Sequence, residues 1–207
     1  FGANAAYTDY REMLERERPE VVFVVTNYDE RNRPRYPQIA IDCMHSDAHV
    51  WIEKPPASSS AEIVQMMDVS NKTGKTVMVG YKKMFFPANV KAHEIASREE
   101  FGGVTSVTAR YPQYLPTPDR RMDDNEMLGF LDHIQHPWSV LLLLGGRAES
   151  IYVEHNERVG SSVTSIRFEN GAIGGLHLAH GQSQRSFMER TDVVGWEHNV
   201  IVDNNVR

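Results

Sequence analysis

The feature that most constrains this chain is a regular alternation running through residues 9–80. Val21-Val22-Phe23-Val24-Val25 is an unbroken apolar run, rich in β-branched side chains. Such a run reads as a strand buried on both faces. Val50-Trp51-Ile52 repeats the pattern, and Thr76 to Gly80 repeats it again. Helical patterns separate the runs. Tyr36 to Met44 places Ile39, Ala40 and Cys43 on one face. Ser59 with Glu62 three residues later forms a capping box ahead of Ile63, Met66 and Met67, and Gly74 suits the C-terminal cap. Asp9 and Glu12 repeat the capping pattern for a first helix that Pro19 stops. Helix, strand, helix, strand, helix, strand implies an α/β fold with a parallel sheet and right-handed crossovers.

Three strands do not complete such a domain. A doubly wound nucleotide-binding sheet opens with a glycine-rich turn after its first strand, and no G-x-G-x-x-G exists here. Gly171, Gly174 and Gly175 have other spacings in a strand context. The expectation is therefore the C-terminal part of a doubly wound domain, with its first half absent and both chain ends cut. The pattern changes after Gly102-Gly103. Thr105, Val107, Ala109 and Tyr111 alternate at period two. Asn170-Gly171 between two apolar runs signals a hairpin, and strands from Phe187 to Val194 and from Asn199 to Val202 are expected to continue a meander. The domain boundary is expected near residues 98–104. This gives a partial parallel-sheet domain over 1–100 and an α+β domain with an open, mainly antiparallel sheet over 101–207.

Composition narrows the classes. A net charge of −6 argues against nucleic-acid partners. The apolar runs are too short to span a bilayer. Cys43 is the single cysteine, so no intrachain disulfide can form, and a reducing, cytoplasmic location fits.

Two stretches carry chemistry. Glu53-Lys54 follows the Val50 strand directly, and Pro55-Pro56 ends the ladder. The carboxyl ends of parallel strands are where open α/β sheets place ligands. A solvated loop pair is the competing reading. Asp132 and His136 are four residues apart, so one helix face could hold both. A carboxylate beside an imidazole raises its pKa and suits a proton acceptor near neutrality. A structural ion pair is the competing reading. Pro137 disfavours helix at His136, so the helix could instead begin at Pro137, with the pair joined by tertiary contacts. No H-E-x-x-H is present, and no metal site is expected.

Taken in order, Glu53-Lys54-Pro55, then Gly80-Tyr81 with Phe85 and Pro87, then Asp132-x-x-x-His136 resemble the Gfo/Idh/MocA oxidoreductases over nearly the whole chain. The resemblance implies a Rossmann domain followed by an α/β domain with an open sheet. It implies NAD or NADP as cofactor and hydride transfer to or from a hydroxyl carbon of a sugar, cyclitol or related polyol. It implies Lys54 as the catalytic lysine, with Asp132 and His136 on the substrate side and Tyr81 among the substrate contacts. Thr26, Asn27 and Glu53, with Lys54, line the nicotinamide. It also implies a homo-oligomer formed through the C-terminal sheet. Two other readings share the scaffold: a non-catalytic dinucleotide sensor, and a redox-neutral glycosidase using bound NAD.

Overall fold

The computed structural model describes residues 2–182 and 188–204. The chain divides into two compact units, Phe1–Gly80 and Tyr81–Arg207. The expected boundary near 98–104 lies beyond this division. Helix α4, introduced below, packs in the second unit with Ala92 and Ala96 in its core.

In the first unit, α1 (Tyr10–Glu17), β1 (Val21–Val24), α2 (Tyr36–His45), β2 (His49–Ile52), α3 (Ser60–Thr73) and β3 (Val77–Val79) follow the expected alternation. The strands form one parallel sheet in sequence order, with Val24 level with Ile52 and Ile52 level with Val79. The Ser59–Glu62 capping box forms reciprocally, and Gly74 caps α3 in the left-handed region at φ +71°. At α1, Asp9 accepts from the Arg11 N–H instead of forming the box with Glu12. Leu14, Val24, Ala40, Cys43, Met44, Val50, Ile52 and Met66 make the core.

The sheet is not buried on both faces as its apolar runs suggest. Val24 is buried, but Val21, Phe23 and Val25 are exposed, Phe23 by 70%, and Met78 on β3 is also exposed. Period-two geometry turns alternate side chains away from the α2 side. The Trp51 ring lies beside Phe23, centroids 5.8 Å apart, and leaves most of it open.

The second unit holds α4 (Pro87–Ala96), β4 (Ser106–Tyr111), α5 (Asp124–Gly145), β5 (Ala148–His155), β6 (Ser162–Phe168), β7 (Ile173–Leu178), β8 (Arg190–Val194) and β9 (Asn199–Asp203). A short 3₁₀ turn, Lys82–Phe85, precedes α4. The six strands order as β5-β6-β7-β4-β8-β9. Among the described residues only β4 with β7 is parallel, so the sheet is mainly antiparallel. The expected meander is broken, because β8 pairs with β4 and not with β7. Phe187, expected to open the strand that runs to Val194, lies outside the described residues. The Asn170-Gly171 turn joins β6 to β7, with Gly171 at φ +88° and its N–H bonded to the Phe168 carbonyl.

Helix α5 lies across one face of this sheet. Val140, Leu141 and Leu144 pack with Val107, Phe168 and Leu176 in the main core. The helix does not begin at Pro137. Asp123 caps it, accepting from Asn125 and Glu126, and Pro137 sits in its interior. Pro137 has no N–H to offer the His133 carbonyl. Its buried ring and the apolar residues after it hold the helix to the sheet through this gap. No helix among the described residues is long and apolar enough to cross a membrane.

Candidate active site

In the first unit the expected residues gather at the carboxyl end of the parallel sheet. Thr26 and Asn27 follow β1, and Glu53 and Lys54 follow β2. Because Val24 and Ile52 are level, both loops leave the sheet at the same edge. Tyr10, Val25, Thr26, Asn27, Tyr28, Arg35 and Ile39 line a groove there. Tyr36 donates to the Thr26 carbonyl at 3.2 Å, which fixes that loop onto α2. The Lys54 N–H bonds its neighbour's carboxylate, Glu53 Oε2, at 3.2 Å. The Lys54–Pro55 bond is cis. Gly80 closes β3 tightly against this edge: its N–H bonds the Ile52 carbonyl at 2.8 Å, and a Cβ there would fall 2.5 Å from the Trp51 ring.

The second unit carries Tyr81, Asp132 and His136. The continuous α5 sets the last two one turn apart on one face, so helix geometry brings them together. His136 is buried, at 6% exposure, and its carbonyl accepts from Ser139 Oγ at 2.9 Å. His133 faces outward, with Nδ1 2.9 Å from the Gly129 carbonyl and 3.6 Å from Asp132. Both neighbours are acceptors, so that nitrogen carries a proton. Burial raises the Tyr81 phenol above its ordinary pKa.

Three residues here were not singled out from sequence. Lys83, in the 3₁₀ turn, is 8% exposed. Its ammonium pairs with Glu189, meets Tyr111 Oη at 3.3 Å and lies 4.5 Å from the Tyr111 ring centroid. Burial lowers the Lys83 pKa, and Glu189 opposes that shift. Burial raises the Tyr111 phenol, and the charges of Glu189 and Asp132 add to the effect. The only signal in the sequence was the Lys82-Lys83 pair, and it does not show which lysine turns inward. Tyr111 and Glu189 have no local signature at all.

Lys83, Tyr111, His136, Pro137, Glu189 and Thr191 are among the residues around a cavity of about 20 Å³, room for roughly one water. A larger cleft of about 730 Å³ adjoins it, lined by Tyr111, Gln113, Tyr114, Phe130, His133, His180 and Glu189 among others. That volume suits a small organic ligand. Tyr111 and Glu189 line both spaces. Aromatic rings, the Gln113 and Gln182 amides, two histidines and Glu189 share the lining, a mixture of ring faces and polar groups that suits a small polar molecule.

Residues 1–81 match the family model described as "Oxidoreductase family, NAD-binding Rossmann fold". The chain is similar to myo-inositol 2-dehydrogenase of Thermotoga maritima, at 22% identity over 216 residues, covering 98% of this chain and 62% of the relative. Its fold is similar to a crystal structure of a probable dehydrogenase from the same organism, with TM-score 0.77 and 21% identity over 96% of this chain and 61% of that one. It is also similar to the WlbA dehydrogenase of Chromobacterium violaceum, solved with NADH and UDP-GlcNAcA, with TM-score 0.73 and 18% identity over 96% of this chain and 60% of that one. The chain thus spans about three-fifths of the length of these relatives.

Proposed function

We propose, from the match of residues 1–81 to an NAD-binding oxidoreductase family and the resemblance of the chain to the Gfo/Idh/MocA oxidoreductases, that it serves an NAD(P)-dependent dehydrogenase acting on a sugar, cyclitol or related polyol. The observation that carries this reading is the second unit's helix face. Asp132 and a buried His136 share it, and His136 borders a cavity adjoining a substrate-sized cleft.

The residues present fit the nicotinamide end of the cofactor. Thr26 and Asn27 offer a hydroxyl and an amide at the carboxyl edge of a parallel sheet, and Glu53 offers an acceptor at the same edge. These are groups that can hold a carboxamide. When bound, the nicotinamide supplies or accepts hydride.

The chain's own residues handle the proton and the charge. His136 accepts the hydroxyl proton at an imidazole nitrogen. Asp132 orients that imidazole and stabilises its charged form. The Lys54 ammonium holds the reacting oxygen and stabilises the negative charge that develops on it. Phe130, Tyr114 and the Gln113 amide provide ring surface and polar contacts for the substrate. Tyr81 adds a half-buried phenol to the substrate side.

The test is a polyol screen of the intact protein with NAD and NADP, following nicotinamide reduction. Turnover of one or more polyols supports the reading. Lys54→Met should lower that turnover by roughly a hundredfold or more with an unchanged far-UV spectrum. Full activity in this variant would remove Lys54 from the mechanism.

The same reading includes assembly through the second sheet. Tyr152, Val163 and Ile173 are exposed on one face of its strands, and clustered exposed apolar groups mark interfaces. Light scattering should find an oligomer that Ile173→Lys dissociates. A monomeric wild type would contradict it.

A further inference from the structure

We propose that the second unit holds a further sugar subsite beyond the cleft, walled by Thr117, Asp119 and Arg158, and that the substrate is a neutral two-ring molecule, a glycosylated polyol or a disaccharide. The proposal rests on the polyol reading above and names the substrate class within it.

Three loops meet at one edge of the second sheet. Tyr111 on β4, Leu178 on β7, Ser162 on β6 and His155 on β5 are level with one another. The segments that leave the sheet there are therefore neighbours: 112–116 after β4, 179–182 after β7, and 156–161 between β5 and β6. Tyr114, Thr117, Asp119, Arg158 and His180 are among the residues around a second space there, of about 650 Å³. Tyr114 and His180 also line the first cleft, and their rings meet edge to face with centroids 5.0 Å apart. The two spaces adjoin at this ring pair. His136 lies toward the other end, on the small cavity that shares Tyr111 and Glu189 with the first cleft.

Ordered backbone frames the far space. The Leu115 N–H donates to the Gly160 carbonyl at 2.8 Å, and a Cβ on Gly160, at φ +77°, would fall 2.4 Å from the Leu115 oxygen. Only glycine allows the two loops to close up in this way. Asn156 organises the rest of its loop: its carbonyl accepts from the Gly160 N–H at 2.7 Å, and its side-chain oxygen accepts from the Arg158 N–H at 3.0 Å. At the junction, Tyr114 Oη donates to Glu126, whose other oxygen accepts from Arg120. The ring pair and the Arg158 loop are thus set before a ligand arrives, which lowers the ordering cost of binding.

The lining selects the ligand. Asp119, Glu157 and Arg158 border the far space, are exposed, and have no side-chain partner among the described residues. A guanidinium only donates and a carboxylate only accepts. Charges of both signs give no common attraction for an acid or a base. Hydroxyls both donate and accept, so a ring of them satisfies both kinds of group. Each space alone has the size of a small-ligand pocket. One polyol ring at the His136 end would leave the second space unfilled, and a linked second ring fills it.

Steady-state kinetics and ligand-observed NMR on the intact protein, with NAD and NADP, compare single rings with the same rings glycosylated: myo-inositol against galactinol, and D-glucose against maltose and cellobiose. At least one two-ring probe should show a KM and Kd roughly tenfold or more below its single-ring parent, the gain expected from one added hydrogen bond to a charged group. Its kcat should stay within about threefold, because the added ring binds and does not react. Arg158→Ala, Asp119→Ala or both should cut that advantage by about fivefold or more, read as the ratio of the two KM values; both residues are exposed, so the fold should persist. Single rings taken as well as every two-ring probe would overturn the proposal and leave the dehydrogenase reading standing. A two-ring advantage that both variants leave intact would overturn it too, since the second ring would then lie elsewhere. If no probe of either kind binds or turns over, the polyol reading falls, and this one with it.

Discussion

Gly145, the last residue of α5, touches the centre of the second unit's core, and replacing it with alanine probes how the His136 helix is held. A Cβ there would lie 2.6 Å and 2.8 Å from Phe168 ring carbons and 2.8 Å from Val107 Cγ1. Comfortable carbon contacts need about 3.5–4.0 Å. Phe168 and Val107 are at 1% and 0% exposure, so neither can move into solvent. Overpacking of this kind costs about 1–3 kcal/mol, against at most about 1 kcal/mol gained from alanine's helix propensity. With the full propensity gain set against it, the net loss should reach about 2 kcal/mol. A Cβ at Gly129, in the same helix, would meet nothing within 4 Å. Gly129→Ala should therefore stabilise by up to about 1 kcal/mol. One substitution type on one helix should have unlike effects on stability, with a spread of about 1–3 kcal/mol. Urea unfolding measures the spread, and hydrogen exchange of α5 and β6 amides localises it to the second unit. If Gly145→Ala matches or exceeds Gly129→Ala in stability, the docking of α5 onto Phe168 and Val107 is wrong.

Further predictions concern the first unit. Cys43 is fully buried, and burial pushes its thiol from 9.0 up to about 11. The folded state thus holds the proton more tightly than the unfolded chain, and the stabilisation present below pH 9 should be lost as pH rises toward 11. A shift of this size amounts to roughly 2–3 kcal/mol. Urea midpoints across that range should fall for wild type and flatten for Cys43→Ala; parallel curves would refute the assignment. Asp42 behaves oppositely. Burial pushes its carboxyl up, but hydrogen bonds from Tyr10 and Gln38 and the Arg11 charge override this and hold it low. Its contribution should be present above the usual aspartate range and fade as pH falls through the lowered folded value, and Tyr10→Phe should reduce the fade in acid titrations. Ser59→Ala removes half of the capping box and should cost about 1 kcal/mol, read as a lower urea midpoint of the first unit.

Much of the fold was legible because it rests on local rules. The Val21, Val50 and Thr76 runs, the Ser59–Glu62 box and the Asn170-Gly171 turn each depend on a few adjacent residues, and each formed. Burial across a sheet is not a local property. Val21-Val22-Phe23-Val24-Val25 reads the same whether one face or both are covered, and Phe23 is 70% exposed. Strand order is likewise non-local, so the insertion of β4 between β7 and β8 could not be read from spacing. Pro137 misled in a different way. Its local penalty was judged correctly, but the burial of the helix around it prevailed. At the candidate site, the four-residue spacing of Asp132 and His136 announced that they share a helix face. Lys83, Tyr111 and Glu189 come from a turn and two strands, and only the tertiary fold joins them.

The most direct test of the account is isotopic. The intact protein is given NAD and, from the polyols it turns over, one deuterated at the carbinol carbon. The account predicts that deuterium appears in the reduced nicotinamide in proportion to carbonyl product, and that His136→Ala slows this transfer without scattering label into water. Deuterium recovered in solvent, or no nicotinamide reduction with any polyol, would contradict it.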